Sequence, residues 1–289
     1  MEKKLKKLSK RVNNYFYNYL IKFNSSELIA PMKYGLFPGG KKIRSKIIFD
    51  IGKIFKVKGK NLLILAASVE AIHAYSLIHD DLPCMDDDKL RRGKPSTHIK
   101  FGESTAILAG NSLLTTAFEI LSDKNFKIED KTKSRLINLL ARCSGQTGIA
   151  GGQYLDLNYE KKKVSLQKIL KMELKKTGKL FEFCCIAPLI IKKDKKNLNL
   201  FSKIGKDIGL LFQIIDDLID FKGKTKFAGK KTQKDQKKGK ATIISLLGYE
   251  NAVKYSNKLK QDIYKKLKKH NNKAKDLRET IDFIMSRKN

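Results

Sequence analysis

Apolar residues recur at three- and four-residue steps along most of the chain, the spacing of helices that bury one face. The pattern predicts an amphipathic helical segment to about Leu36, closed by Gly35, Pro38, Gly39 and Gly40. A second helix is expected from about Lys41, with Ile43, Ile47, Ile48 and Ile51 on one side. After the Lys58-Gly59 turn, Leu62, Ala66, Val69, His73, Ser76 and Asp80 share one helix face. Further helices are predicted over 103–121, 131–148, 165–191, 197–221, 241–268 and 274–287, with glycines at 145, 148, 151 and 152 interrupting one of them. Gly223 to Gly239 is rich in Lys, Gly and Thr and reads as a mobile loop. No Pro/Gly/Ser-rich linker divides the 289 residues, so 1–289 is expected to be a single domain. Five prolines and five valines among abundant Leu, Ile and Lys favour an all-α fold.

Charge suggests a partner that the motifs do not support. The formal charge of +33 comes from 62 basic and 29 acidic residues, a balance that first suggests nucleic acid or an anionic membrane. The lysines are spread along the whole length, in pairs such as Lys3-Lys4, Lys175-Lys176 and Lys237-Lys238, with no nucleic-acid motif beside them. Neither a specific nucleic-acid partner nor an integral membrane association is expected. Residues 62 to 79 are apolar but interrupted by Glu70 and His73, and the first 24 residues are too polar for a signal peptide. Cys84, Cys143, Cys184 and Cys185 show no paired spacing, which fits free thiols in a reducing cytoplasm.

Chemistry enters with an internal echo. Ile78-His79-Asp80-Asp81-Leu82 and Ile214-Ile215-Asp216-Asp217-Leu218 repeat one pattern 136 residues apart, each after an apolar run. Asp216 and Asp220 lie four residues apart, one turn from each other on one helix face, with Asp217 beside them. Like charges on a helix dressed for burial resist joint ionisation unless a cation offsets them. Oxygen ligands without nearby His or Cys favour Mg²⁺ over zinc, and Mg²⁺ keeps positions for phosphate, which implies a phosphorylated substrate. In the first cluster Asp80 and Asp86 would diverge by about 120° on an ideal helix. Pro83 is expected to bend the helix and bring Asp86 round, the insertion appearing as a local bulge. Arg91-Arg92, and Lys41, Lys42 and Arg44 behind Gly39-Gly40, supply counter-charge for a diphosphate.

These residues resemble the trans-isoprenyl diphosphate synthases, most closely those of bacteria that make a fifteen-carbon product. The matching segments are Gly39 to Arg44, Glu70 to Pro83, Asp86-Asp87-Asp88 with Arg91-Arg92-Gly93, Gly151-Gly152-Gln153 and Lys176-Thr177-Gly178. Phe212-Gln213 with Asp216 to Asp220, and Gly229-Lys230 through Asp235 to Gly239-Lys240, complete them in the expected order. The resemblance implies a helical bundle around a deep central cavity and a homodimer. It implies three Mg²⁺ ions per site, replaceable by Mn²⁺, with Asp80 and Asp86 ligating two, Asp216 the third, and Asp81, Asp217 and Asp220 in support. Arg91, Lys176, Lys230 and Lys240 would clamp the allylic diphosphate, while Lys41, Arg44, His73 and Arg92 would hold isopentenyl diphosphate. Thr177 and Gln213 would flank the reacting carbons. The implied reaction adds isopentenyl diphosphate to dimethylallyl and geranyl diphosphate by ionisation, condensation and elimination, giving (2E,6E)-farnesyl diphosphate.

Ser76 lies one turn before Asp80 and Tyr75 precedes it, so the pair is expected to floor the pocket and set chain length. The family alternatives are geranyl or geranylgeranyl diphosphate synthesis; the alternative from another class is a non-catalytic polycation. Ser45 and Ile244 depart from the family pattern at positions where proline is usual, a difference expected to touch backbone shape.

Overall fold

The apolar periodicity becomes fourteen α-helices in a computed structural model that describes residues 1–23, 25–37, 39–160, 162–226 and 242–287, with backbone alone for 223–226. In order they are α1 (Glu2–Leu20), α2 (Ile29–Leu36), α3 (Ile43–Ile54), α4 (Gly59–Asp80), α5 (Thr97–Phe101), α6 (Glu103–Ser122) and α7 (Asp130–Ser144). Then come α8 (Ile149–Tyr159), α9 (Leu166–Glu173), α10 (Lys179–Ile191), α11 (Leu198–Lys226), α12 (Ile243–Leu247), α13 (Tyr249–Leu267) and α14 (Lys275–Ser286). A two-residue hairpin, β1 (Leu90–Arg91) with β2 (Lys94–Pro95), pairs Leu90 with Pro95 and Arg91 with Lys94. The expected all-α class is what these residues form.

The chain packs as two units, Met1–Asn138 with Ile190–Lys193, and Leu139–Leu189 with Asp194–Asn289. The first is built on α4, which is apolar on every side and therefore central. Leu65, Ala66, Ala67, Val69, Ala71 and Ile72 are fully buried there, and α1, α2, α3 and α6 all pack against this helix. Helix α1 shows why: Leu5, Leu8, Val12, Phe16, Tyr19 and Leu20 make one buried stripe, leaving its lysines to water. Among the described residues α4 alone is long and apolar enough to cross a membrane, yet 67% of its apolar window is buried within the protein, the placement of a core helix.

The second unit centres on α11 and α10. Phe201, Ile204, Ile208, Leu211 and Ile214 recur at three- and four-residue steps and are fully buried, so α11 presents one continuous apolar face. Helix α10 buries Phe181, Phe183, Cys184, Cys185 and Leu189 completely. Its thiols are packing groups.

Several boundaries differ from the sequence pattern, each for a local reason. The first segment is two helices, separated after a 3₁₀ turn at Ile21–Phe23, and Gly35 lies inside α2. The 165–191 stretch carries a π-helical turn at Leu174–Gly178. Gly248, with φ 76, divides the 241–268 stretch. Gly151 and Gly152, expected as interruptions, sit inside α8. Helix α11 runs to Lys226 and takes in the start of the expected Gly223–Gly239 loop; the remainder of that loop lies outside the described residues.

Because Leu65 is fully enclosed on the central helix, Leu65→Ala should cost about 2–5 kcal/mol of unfolding free energy in urea titration. A loss under about 1 kcal/mol would show that α4 is not the anchor of its unit.

Candidate active site

Helix α4 stops at Asp80 because the chain turns sharply through Leu82, Pro83 and Cys84. The expected bent helix is replaced by a looped turn closed by main-chain bonds. Asp86 N–H donates to the Asp80 carbonyl at 2.8 Å, Asp87 N–H to Leu82 at 3.0 Å, and Asp88 N–H to Asp81 at 3.1 Å. Asp86 thereby returns to the backbone of Asp80 through a loop and not through a bent helix. Asp81 points inward, nearly buried, and accepts from Arg91 Nε at 3.0 and 3.2 Å and from Arg91 Nη2. Burial pushes Asp81 above the usual carboxylate range against the pull of Arg91. Arg91 also reaches Asp88 at 3.6 Å. Asp81 thus orients Arg91 as well as lying beside the proposed ligands.

The basic motif opens α3. Lys42, at φ 49 and ψ 43, is left-handed and turns its side chain inward, while Lys41 is exposed. Lys42 Nζ lies 3.2 Å from the buried Glu70 carboxylate, which also accepts from Ser45 Oγ at 2.7 Å. Arg44 Nη1 lies 3.3 Å from His73 Nε2. Burial, then Arg44, Arg92, Lys42 and Arg91, hold His73 well below the usual histidine range. The ring is therefore neutral near pH 7, with Nε2 accepting from Arg44 and Nδ1–H left as a donor. Burial and the adjacent arginines likewise lower Arg92, against the pull of Glu70. Glu70 is a member of this pocket to which the sequence reading gave no charge-balancing role. Ser45, expected to matter through the backbone, acts through its hydroxyl.

In the second unit the π-helical turn brings Thr177 towards α11. Thr177 Oγ1 donates to Gln213 Oε1 at 3.1 Å, and Gln213 Nε2 donates to Asp217 Oδ1 at 2.9 Å. A π turn spends one extra residue and re-aims the side chains after it. Lys176 bonds Asp156 of α8 at 2.6 Å, and α8 comes this close because residue 152 has no side chain. A Cβ at Gly152 would stand 2.2 Å from the Lys176 nitrogen. Asp156 and Arg287 are further functional neighbours without a sequence signal. Arg287 Nη2 pairs with Asp216 Oδ1 at 2.7 Å, donates to the Phe212 carbonyl at 2.7 Å, and lies 3.8 Å over the Phe212 ring.

The acidic residues suit a hard cation. Asp217 Oδ2 is sealed from solvent without a hydrogen-bond partner. Burial, with Asp216 and Asp220 nearby, pushes that carboxyl up to about 7. A buried unpartnered oxygen among like charges is what an added cation relieves. Among the described residues no three His, Cys, Asp or Glu side chains form a metal cage by themselves. Mg²⁺ does not need one, since it takes one or two carboxylates and completes its shell with water and phosphate.

Tyr75 is buried and meets His79 edge-on at 5.5 Å, and Ser76 Oγ donates to the His73 carbonyl at 3.0 Å. Lys230 and Lys240 lie outside the described residues.

The neutral His73 has a consequence for acid stability. Above the ordinary histidine value of 6.5 the folded and unfolded chains both hold the ring neutral. Below it the unfolded chain binds a proton that the folded one refuses, so stability falls with pH. His73→Gln should therefore lose less stability than wild type between about pH 7 and pH 5. Urea unfolding at each pH checks this, and parallel slopes would show that His73 titrates normally.

Residues 25–281 match the family model described as Polyprenyl synthetase. Farnesyl diphosphate synthase of Escherichia coli (strain K12) is 41% identical over 271 residues, covering 92% of this chain and 91% of that protein. The apo crystal structure of an FPP/GFPP synthase from Zymomonas mobilis superposes with a TM-score of 0.86 at 34% identity, over 99% of this chain and 100% of that one. A geranyltransferase from Helicobacter pylori, complexed with magnesium and isoprenyl diphosphate, gives a TM-score of 0.75 at 29% identity over 95% and 96% of the two chains. With motifs, helices and whole-chain similarity in agreement, this chain belongs to the polyprenyl synthetase family.

Proposed function

We propose that this chain is a trans-prenyltransferase that adds isopentenyl diphosphate to dimethylallyl and then geranyl diphosphate, giving (2E,6E)-farnesyl diphosphate for isoprenoid biosynthesis. The observation that carries the reading is Arg44 Nη1 at 3.3 Å from His73 Nε2, with Lys42, Arg91 and Arg92 close enough for their charges to act on the same ring. Such a concentration of partly desolvated cations fits an anion of high charge density, and a diphosphate is one. Lys41, Arg44, His73 and Arg92 hold the isopentenyl diphosphate. Arg91, Lys176, Lys230 and Lys240 hold the allylic one. Residues 1–289 act as a single domain in this reading, since no linker divides them and the chain carries two matching acidic segments.

Three Mg²⁺ ions, replaceable by Mn²⁺, would neutralise the departing diphosphate when held by Asp80, Asp86 and Asp216 with Asp81, Asp217 and Asp220 behind them. The chain's own groups do the rest. Asp81 and Asp156 orient Arg91 and Lys176, which stabilise charge on the leaving oxygen as the allylic carbon–oxygen bond breaks. The Thr177 and Gln213 oxygens offer dipoles to the allylic cation and shield it from water. The isopentenyl double bond then attacks, and the released diphosphate accepts the proton. The enzyme works as a cytoplasmic homodimer. Free thiols fit that compartment, and Ile107 and Leu108, exposed together on α6, offer apolar surface to a second copy.

Protein incubated with Mg²⁺, labelled isopentenyl diphosphate and either dimethylallyl or geranyl diphosphate should yield a fifteen-carbon product. Absence of labelled prenyl product with both allylic substrates overturns the reading. Asp80→Ala and Asp216→Ala should each lower kcat by about 10²-fold or more; near-normal turnover in either would remove that residue from the metal set.

Tyr75 and Ser76 set the length. Tyr75→Ala should lengthen the product and Ser76→Phe shorten it, read by chromatographic sizing. Unchanged lengths in both variants would place the floor elsewhere.

A further inference from the structure

Ser45 and Glu70 lie 25 residues apart in sequence, on α3 and α4, and neither is more than 3% exposed. The two oxygens of Glu70 have different partners: Oε1 accepts from Ser45 Oγ at 2.7 Å, and Oε2 faces Lys42 Nζ at 3.2 Å. That division fixes the carboxylate plane. Lys42 reaches it from a left-handed backbone conformation, φ 49, and its Nζ also lies 3.4 Å from the Leu36 carbonyl. A left-handed lysine persists where surrounding contacts over-determine it. Arg92 is left-handed as well, at φ 53. Its guanidinium lies on Gly40, where a Cβ would stand 2.9 Å from Nη2. One short segment, Gly40 to Ser45, therefore seats Arg92, aims Lys42 and supplies the donor to Glu70.

The electrostatics give this geometry its meaning. Glu70 is a carboxylate buried among cations, and both Arg44 and Arg92 feel its charge. Were the carboxylate to rotate towards either arginine, it would compete with an incoming diphosphate for that cation. We infer that Ser45 is a positioning residue for the isopentenyl diphosphate pocket: its hydroxyl locks Glu70 onto Lys42 and so sets the field in which Arg44 and Arg92 meet the substrate's diphosphate. This rests on the assignment of Arg44 and Arg92 to that substrate.

Ser45→Ala removes the lock and keeps the helix. It should raise KM for isopentenyl diphosphate about tenfold, the scale of a lost hydrogen bond to a charged group. The kcat at saturation and KM for geranyl diphosphate should stay within about twofold. Ser45→Thr, which retains the hydroxyl, should restore KM towards wild type. In a Glu70→Gln background Ser45→Ala should add nothing further, because the serine acts through that carboxylate. A merely structural role would lower kcat through lost active protein and leave KM alone. That split, or full additivity with Glu70→Gln, overturns the inference. Arg92→Gln serves as the control: if it raises KM for isopentenyl diphosphate and Ser45→Ala does not, the positioning role alone is wrong. If Arg92→Gln leaves KM unchanged, the pocket assignment itself fails.

Discussion

Carboxylates at the C-terminal end of a helix stand where the last carbonyls already carry partial negative charge. Asp80 and Asp81 close the 22 residues of α4 in that position, and the surrounding structure offsets the resulting field. Arg91 folds back from β1 to bond Asp81, and the looped turn after Leu82 returns Asp86 to the Asp80 backbone. The placement is unfavourable for an isolated helix. It becomes tolerable because the apolar length of α4 fixes the helix in its unit, so the acidic tip is held in place by packing that has nothing to do with charge.

The same unit solves the opposite problem one turn and more upstream. Around His73, repulsion among cations would drive side chains outward, and the protein counters it with the buried Glu70 and a ring that stays neutral. A second proton on His73 would add like charge to a crowded site, which is why burial and four cations act on it in the same direction. Lys42 takes one oxygen of Glu70 and Ser45 the other. The pocket is preassembled at the cost of two left-handed residues, Lys42 and Arg92. Strain of this kind is consistent with a site whose geometry is set before its anion arrives.

Legibility in the sequence followed the range of the interaction. The helices of α1, α4 and α11 were readable because apolar residues at three- and four-residue steps are a local signal. The spacing of Asp216, Asp217 and Asp220 was readable for the same reason. Ser45 with Glu70, Lys176 with Asp156, and Arg287 with Phe212 were not, being 25, 20 and 75 residues apart with no pattern linking them. The glycines of α8 illustrate tertiary override: propensity marks Gly151 and Gly152 as breaks, yet packing against the Lys176 backbone demands the missing side chain at Gly152 inside a helix. The turn after Asp80 was expected as a Pro83 bend within a helix; the helix instead ends at Asp80, and main-chain bonds return Asp86 to the Asp80 backbone.

Each unit is left with an imbalance of its own sign. In the first, cations crowd about one buried carboxylate beside an acidic helix end; in the second, Asp217 keeps a sealed oxygen without a partner next to Asp216 and Asp220. Neither imbalance is removed by the chain's internal pairs, since Glu70 is committed to Lys42 and Ser45, and Gln213 satisfies only one oxygen of Asp217. Within the first unit an anion would relieve the crowded cations, and within the second a metal ion would relieve the aspartates, so the charges that are costly to bury in each unit are also the ones that favour a ligand of opposite sign. The chain's +33 formal charge adds a long-range attraction to such anions, but it is spread along the sequence and screened by salt. The buried groups instead keep a fixed orientation, as Glu70 does with Ser45 on one oxygen and Lys42 on the other.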